Sequence, residues 1–297
     1  MMKKLSAAMF LFLFLSIFPA WGRSVNYLQP VVDGIPVKMI CINLNDPRVK
    51  ITPMLAKRPY QGETFKKMVT RLMPTAAING TYFCVSSFRP VGAINIDGRR
   101  RYRNTIGTAF AVTWNNQVRF YDYPWVDKVD HRDFEMVISA GPRLLRDGVR
   151  ALNPRREGFR DRRIFSPATR SAIGVTEGNK VLLVTVHRPI YLGRLAYIMR
   201  ELGCIDAMAL DGGSSIGMFY RGKFISHPRR RMSNILAVYE KSWRIATPAS
   251  EPPLPWNNDF ADALQIGSRV KPGGEPSPRS NDFADALEGL KKEFLSH

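Results

Sequence analysis

The chain has 297 residues, of which 44 are Lys or Arg and 25 are Asp or Glu, so its formal net charge is +19. Hydrophobic residues make up 45% of the sequence, which excludes a wholly disordered chain and allows a sizeable core. The positive charge predicts an anionic partner or surface, of which nucleic acid is only one kind.

The first 22 residues are typical of a secretory signal peptide. Two lysines precede an apolar run from Leu5 to Phe18, and the small residues Ala20 and Gly22 fit the −3 and −1 positions of a cleavage site. The run is shorter than the roughly 20 residues that a membrane-spanning helix needs. We therefore expect residues 1–22 to be removed on export and the mature protein to be periplasmic or secreted.

The next part of the chain predicts one folded domain. Residues 23–34 are expected to form an exposed lead-in segment, and residues 35–242 a single catalytic-type domain. Two helices are predicted, within 62–72 and 192–202, because apolar residues recur there at spacings of three and four. Strands are predicted at 37–42, 49–54, 76–79, 91–96, 107–114, 117–121, 134–139, 171–175, 180–186, 205–210, 216–220, 223–225 and 235–239. This order indicates an α+β fold with mixed, largely antiparallel sheets and two main packing helices.

Two helix–strand units end in similar small polar turns. The first strand runs into Asn79-Gly80 and the second into Asp211-Gly212. If the units are related, both strand ends would meet at one cleft. The alternative is coincidence, because helix–strand–glycine turns are common.

Residues 243–297 predict a flexible, Pro/Gly-rich acidic tail. The heptapeptide NDFADAL at 258–264 recurs at 281–287. Residues 249–297 carry eight acidic and five basic side chains, a net of −3, whereas residues 23–248 carry 37 basic and 17 acidic, a net of +20. The repeats are typical of short amphipathic helices that dock on a protein partner or on the domain itself. The alternative is a duplicated, solvated tail without a partner.

Three cysteines remain after the signal peptide, namely Cys41, Cys84 and Cys204. An oxidising compartment would permit one disulfide and leave one thiol over, and the alternative is three buried free thiols. The four histidines are scattered and no metal-ligand spacing is present, so we expect neither a metal nor another cofactor.

Three features of the predicted domain could carry chemistry. The turn Asp211–Ser215 follows a buried strand, and its glycines allow backbone N–H groups to approach an anion or a sugar. Asn79 ends another strand, and Arg170 directly precedes a third, where a planar guanidinium suits bidentate capture of phosphate. Arginine runs near 99–103, 155–163 and 229–231 indicate either a solvated face or a surface that recruits a polyanion.

Six segments in order resemble the phosphodiester glycosidase family over about residues 35–240. They are Ala77–Phe83, Pro90–Gly92, Ile138–Leu144, Ala168–Gly174, Ala209–Ser215 and Arg231–Leu236. This sequence differs from the usual family pattern in having Thr81 after Asn79-Gly80 and two rather than three glycines after Asp211.

The resemblance implies hydrolysis of a sugar-1-phosphodiester between the anomeric carbon and the phosphate, with Asp211, Arg170 and Asn79 as catalytic residues. It implies a cleft whose substrate-binding residues are Gly80, Thr81, Gly141, Pro142, Gly212, Gly213, Ser214, Ser215 and Arg231. The expected partner is a phosphorylated glycan or another anionic envelope polymer or exopolysaccharide. Nucleic acid is not expected, because the chain has a signal peptide and no nucleic-acid-binding motif. The alternative function is a non-catalytic binding module for anionic glycans or cell-wall polymers.

Overall fold

The computed structural model describes residues 23–58, 60–103, 106–122 and 130–240. The signal peptide expected at 1–22, the tail expected at 243–297 and its repeats lie outside the described residues. Every strand pairing in the described part of the chain is antiparallel, so the largely antiparallel sheets are confirmed, and no parallel pairing occurs there.

The largest sheet has seven strands. In spatial order they are β1 (Val25–Leu28), β4 (Lys38–Asn43), β15 (Lys180–Ile190), β14 (Ala168–Thr176), β16 (Cys204–Ala209), β12 (Arg143–Arg146) and β13 (Val149–Arg150). The central strand β14 is buried along most of its length, because its two faces pack on different hydrophobic clusters.

The remaining described strands form two five-stranded sheets and a two-stranded ribbon. The second sheet has the order β10 (Val118–Tyr121), β9 (Ala109–Thr113), β11 (Phe134–Ser139), β7 (Ile94–Ile96) and β8 (Arg99–Tyr102). The third has the order β18 (Lys223–Ser226), β17 (Met218–Tyr220), β6 (Ala76–Asn79), β19 (Asn234–Glu240) and β5 (Val49–Leu55). The ribbon pairs β2 (Val31–Val32) with β3 (Ile35–Pro36).

Two main helices cover the sheets, as the sequence predicts. Helix α1 (Phe65–Leu72) begins after Thr64, whose hydroxyl caps the helix by accepting from the Lys67 N–H at 3.3 Å. Its buried residues pack on the third sheet. Helix α3 (Leu192–Glu201) buries an apolar face against the seven-stranded sheet. A short helix, α2 (Arg162–Phe165), precedes β14.

The main core lies where the three sheets meet. It combines Ile40 and Ile173 of the first sheet with Phe110 and Met136 of the second and Leu236 of the third, all fully buried. Side chains alternate across each strand, so the opposite faces remain for the helices. The strand ends that carry the predicted site residues are therefore held by buried packing.

Part of the lead-in segment at 23–34 is buried, whereas the sequence predicts that it is exposed. Val25–Leu28 forms β1, which pairs with β4, and the Val25 side chain is fully buried in the main core. Four residues are too few for periodicity to distinguish an edge strand from a loop. Strand β8 was also not predicted, because its sequence Arg99–Tyr102 is a run of arginines that strands rarely contain.

Candidate functional site

The two polar turns meet, as expected if the helix–strand units share a cleft. The Asn79 side-chain amide donates to the backbone oxygen of Asp211 at 2.5 Å, and the Ser171 hydroxyl donates to the same oxygen at 2.6 Å. The Gly217 N–H donates to Asn79 Oδ1 at 3.3 Å. Asn79 is 1% exposed, so in this structure it positions Asp211, and direct contact with a sugar stays a prediction.

Asp211 presents a buried carboxylate beside an arginine. Its Oδ2 accepts from Arg230 Nη2 at 2.8 Å. Burial raises the pKa of the Asp211 carboxyl above its usual range, although Arg230, the Ser215 hydroxyl and the Gly212 N–H each lower it. Burial outweighs these three contacts, so the Asp211 carboxyl lies in a desolvated position with a perturbed pKa, which makes it a candidate for chemistry.

Arg230 links the parts of this site. Its Nε donates to Ser215 Oγ at 2.6 Å, and its guanidinium carbon lies 4.6 Å from the centroid of the Phe83 ring. The side chain is 29% exposed, so part of it reaches the surface. A guanidinium that is oriented by a carboxylate, a hydroxyl and a ring is preorganised to receive an oxyanion.

The sequence predicts Arg231, not Arg230, as a substrate-binding residue, and contact of Arg231 with a substrate stays a prediction. Arg231 is exposed, and its Nη2 donates to the backbone oxygen of Gly62 at 2.8 Å. Three consecutive arginines in a turn have no periodicity from which the inward side chain could be found. Only the fold shows that Arg230 is the residue that reaches Asp211.

The turn at 212–215 lies against the Asp211 carboxylate. Gly213–Ser215 forms a single 3-10 turn, and the Arg229 N–H donates to the Ser214 backbone oxygen at 2.8 Å. The first N–H groups of such a turn have no acceptor within it. Gly213 and Ser214 can therefore offer backbone donors to an anion, as their motif predicts.

Gly80 and Thr81 are tied to Asn234 at the start of β19. A Cβ atom on Gly80 would lie 1.9 Å from Asn234 Oδ1, so only glycine fits there. The Thr81 N–H donates to Asn234 Oδ1 at 2.8 Å, and the Thr81 hydroxyl donates to the Ser139 backbone oxygen at 2.5 Å. Both residues shape the strand end, and substrate contact by them stays a prediction.

The Gly141-Pro142 turn borders the same region and contains a cis peptide bond. Gly141 N donates to Ala209 O at 2.9 Å, and Ala209 N donates to Pro142 O at 3.0 Å. The Tyr82 hydroxyl donates to Gly141 O at 2.7 Å. Burial raises the pKa of Tyr82, and Asp211 raises it further. The turn is thereby joined through Tyr82 to the surroundings of Asp211.

Arg170 is buried, with 5% of its surface exposed. Its Nε donates to Ile190 O at 3.3 Å, and its Nη2 donates to the backbone oxygens of Arg163, Ile164 and Ser166 at 3.3, 3.2 and 2.5 Å. Burial lowers the pKa of the Arg170 guanidinium. In this structure Arg170 anchors α2 to the sheet, and phosphate capture by its remaining nitrogen stays a prediction.

Glu157 is a buried acid that the sequence analysis missed. Its carboxylate accepts from the Arg143 N–H at 2.9 and 3.0 Å and from the Thr108 hydroxyl at 2.9 Å. Burial raises its pKa to about 7. A Cβ on Gly141 would lie 3.0 Å from Glu157 Oε2, so the carboxylate packs on the cis turn. The arginine-rich sequence around Glu157 has no apolar pattern that would predict a buried side chain.

The described ranges contain three free thiols, and within them there is neither a metal-ligand cluster nor a helix that could span a membrane. There Cys41, Cys84 and Cys204 are free thiols, so no disulfide joins them, although only Cys204 is fully buried. No group of three or more His, Cys, Asp or Glu side chains in those ranges is placed to hold a metal ion. None of the helices found there is long and apolar enough to cross a membrane.

Solved structures share this fold at low sequence identity. A hypothetical protein from Synechocystis has a TM-score of 0.61 and 18% identity over 73% of this chain, and the chain spans 61% of that protein. The zebrafish N-acetylglucosamine-1-phosphodiester alpha-N-acetylglucosaminidase catalytic domain, auto-inhibited by its pro-peptide, has a TM-score of 0.60 and 19% identity over 73% of this chain and 82% of its own. A putative exported protein from Burkholderia pseudomallei has a TM-score of 0.54 and 15% identity over 69% of this chain and 74% of its own.

Sequence comparison identifies the family. No curated protein gives a significant match to the chain. Residues 73–239 match the phosphodiester glycosidase family, and this range contains Asn79, Asp211 and Arg230. It covers more than half of the 297 residues. The chain therefore belongs to the phosphodiester glycosidase family and is a hydrolase of that kind.

Proposed function

We propose that the protein is an exported hydrolase that cleaves a sugar-1-phosphodiester, between the anomeric carbon and the phosphate, on an anionic envelope polymer or exopolysaccharide. The observation that carries this proposal is the contact of Arg230 with both Asp211 and Ser215 at the meeting point of two strand ends. Family membership supplies the reaction class. Export rests on the predicted signal peptide.

The site has groups for both halves of the substrate. Cleavage makes the sugar carbon cationic and leaves negative charge on the phosphate. The Arg230 guanidinium and the backbone N–H groups of Gly213 and Ser214 would bind the phosphate oxygens. The Asp211 carboxylate would stabilise the sugar cation or activate a water molecule. The leaving group is a phosphate monoester anion, which departs readily and takes the bonding electrons of the broken C–O bond, so a strong general acid is less necessary; water supplies the new oxygen on the sugar carbon.

Two adjacent arginines provide a matched test. We expect Arg230→Gln to lower kcat/KM for release of free sugar by about 100- to 1000-fold, the usual effect of losing one oxyanion donor. Arg231→Gln removes the same charge one residue away and should change kcat/KM less than about threefold, because its side chain lies outside the site. The assay incubates purified protein with a panel of sugar-1-phosphodiesters and measures released sugar.

A third variant separates catalysis from binding. Asp211→Asn keeps the shape of the side chain and should abolish sugar release while substrate binding persists. Melting temperatures of all variants establish that they are folded. Equal loss in the Arg230 and Arg231 variants would contradict the site assignment. Wild-type protein that binds every anionic glycan tested and cleaves none of the phosphodiesters would favour a non-catalytic binding module instead.

A further inference from the structure

A concave region that is lined by none of Asp211, Arg230 and Ser215 lies between the β12–β13 hairpin and the loop that follows it. Its volume is about 610 Å³, within the usual range of small-molecule pockets. Four arginines line it, namely Arg143, Arg146, Arg150 and Arg156, together with Asp122, Asn153 and Glu157. Four like charges in one cavity repel each other, which costs free energy unless acidic side chains or a bound anion compensate them.

Two of these arginines are neutralised by the protein. The Arg143 guanidinium is buried and forms ion pairs with Asp122 and Asp206. Its carbon also lies 4.7 Å from the centroid of the Phe120 ring. Arg146 forms an ion pair with Asp122 as well. These contacts build the wall of the pocket and leave little of Arg143 for a ligand.

The other two arginines are exposed and have no acidic partner among the residues that the structure describes. Arg150 lies across the first turn of α3, where a Cβ on Gly193 would be 3.1 Å from its Nη2. The glycine thus allows the guanidinium to lie flat on the helix. Arg156 follows the turn in which its own N–H donates to Asn153 Oδ1 at 3.3 Å. Both residues line the pocket and remain accessible to a ligand from solvent.

The charge balance of the pocket is positive. Four arginines minus the carboxylates of Asp122 and Glu157, which line the pocket, and of Asp206, which pairs with Arg143, leave a net of +1. Protonation of Glu157 would increase this to +2. Planar guanidinium groups in a concave site bind phosphate through paired N–H donors.

We propose that this pocket, which we call the arginine pocket, binds the phosphate group of a phosphorylated sugar through Arg150 and Arg156. Asp211, Arg230 and Ser215 form the site that we propose to be hydrolytic, here called the hydrolytic site, and none of them lines the arginine pocket. Phosphate binding in the arginine pocket therefore does not depend on catalysis by Asp211. The volume leaves room for the sugar beside the phosphate. The pocket and the hydrolytic site approach each other at Gly141, which contacts both Glu157 and Tyr82.

The test measures ligand binding without turnover. Isothermal titration of the full chain uses glucose 6-phosphate as the phosphorylated sugar, inorganic sulfate as the bare anion and glucose as the uncharged control. We expect glucose 6-phosphate to bind more tightly than sulfate and glucose to show no binding. The double variant R150Q/R156Q should weaken glucose 6-phosphate binding at least tenfold. The matched control R99Q/R188Q removes two exposed charges from other strands and should change binding less than twofold.

Other results would overturn the proposal. Equal weakening in both double variants would mean attraction to the basic surface alone. Loss in Arg230→Gln with full binding in R150Q/R156Q would place the anion at the hydrolytic site. Chemical-shift changes provide a readout that does not depend on variants. The amides of Asn153 and Gly193 should shift on titration with glucose 6-phosphate, and shifts confined to Gly212–Ser215 would contradict the arginine pocket.

Discussion

At the scale of single residues, neighbours in the chain have different surroundings. Arg230 contacts Asp211 and Ser215, whereas the exposed Arg231 donates to the backbone oxygen of Gly62. Asn79 and Ser171 both donate to the backbone oxygen of Asp211 and so hold its main chain in place, while Arg230 contacts its carboxylate. Buried polar groups therefore hold the Asp211 backbone in place, and Ser215 orients the Arg230 guanidinium beside it.

Glu157 predicts a pH dependence of stability. Burial raises its pKa from 4.5 to about 7, against the influence of the Arg143 N–H and the Thr108 hydroxyl, while the nearby Asp122 raises it further. The folded state therefore holds the proton more tightly than the unfolded state, so this contribution to stability is full below pH 4.5 and is lost as pH rises through 7. The loss is on the order of 3 kcal/mol.

The variant Glu157→Gln has no proton to lose and should lack this dependence. Urea unfolding of both proteins between pH 5 and pH 8 measures it, and the wild type should lose stability relative to the variant as pH rises. Parallel pH profiles for the two proteins would show that Glu157 ionises normally in the folded state.

At the scale of elements, β14 connects the sheet to the segment before it. The Arg170 guanidinium donates hydrogen bonds to three backbone oxygens in and after α2. It also donates to the backbone oxygen of the last residue of β15. These hydrogen bonds stabilise the loop, whatever the remaining nitrogen of Arg170 binds. The short helix has too few residues to be stable alone, so this anchor sets its position.

We expect Arg170→Gln to lower the free energy of unfolding by about 2–4 kcal/mol, because three buried backbone oxygens lose their donor. The control Arg163→Gln removes an exposed guanidinium that pairs with Asp161, and it should change stability by less than about 1 kcal/mol. Urea denaturation gives both values. An Arg170→Gln protein of unchanged stability that no longer releases sugar would instead support direct capture of phosphate by Arg170.

At the scale of the whole molecule, the positive charge affects how a substrate approaches. The formal net charge is +19, and the arginine pocket adds a local concentration of it. Long-range attraction of this kind accelerates association with anions and is screened by salt. A polyanionic envelope polymer would gain more from it than a small phosphodiester.

This difference predicts a salt dependence. Between about 0.01 M and about 1 M salt the Debye length falls from roughly 30 Å to roughly 3 Å. We expect kcat/KM for a polyanionic phosphodiester polymer to fall at least tenfold over this range, and kcat/KM for a short phosphodiester to fall less than about threefold. Equal salt dependence for both substrates would show that only the charges at the hydrolytic site matter.

Much of the fold follows from local sequence patterns. Both main helices and most strands were predicted from spacings of three, four and two, because burial on one face imposes these periods on neighbouring residues. The sequence identifies the turns at Asn79 and Asp211 as strand ends, and their meeting is one of the two alternatives that the repeated helix–strand order leaves open. The strand Val25–Leu28 was not found, because a short edge strand has no distinct period.

The sequence by itself determined the order of most elements, the basic charge, the family resemblance and the two strand-end turns that carry Asn79 and Asp211. The tertiary structure decided which arginine contacts Asp211, that Glu157 is buried, and that Arg150 and Arg156 share a pocket. Asn79 and Asp211 are 132 residues apart, yet their hydrogen bond joins two sheets. Contacts of this kind depend on how whole strands pack, and no local pattern of residues records the direction in which a single side chain then points.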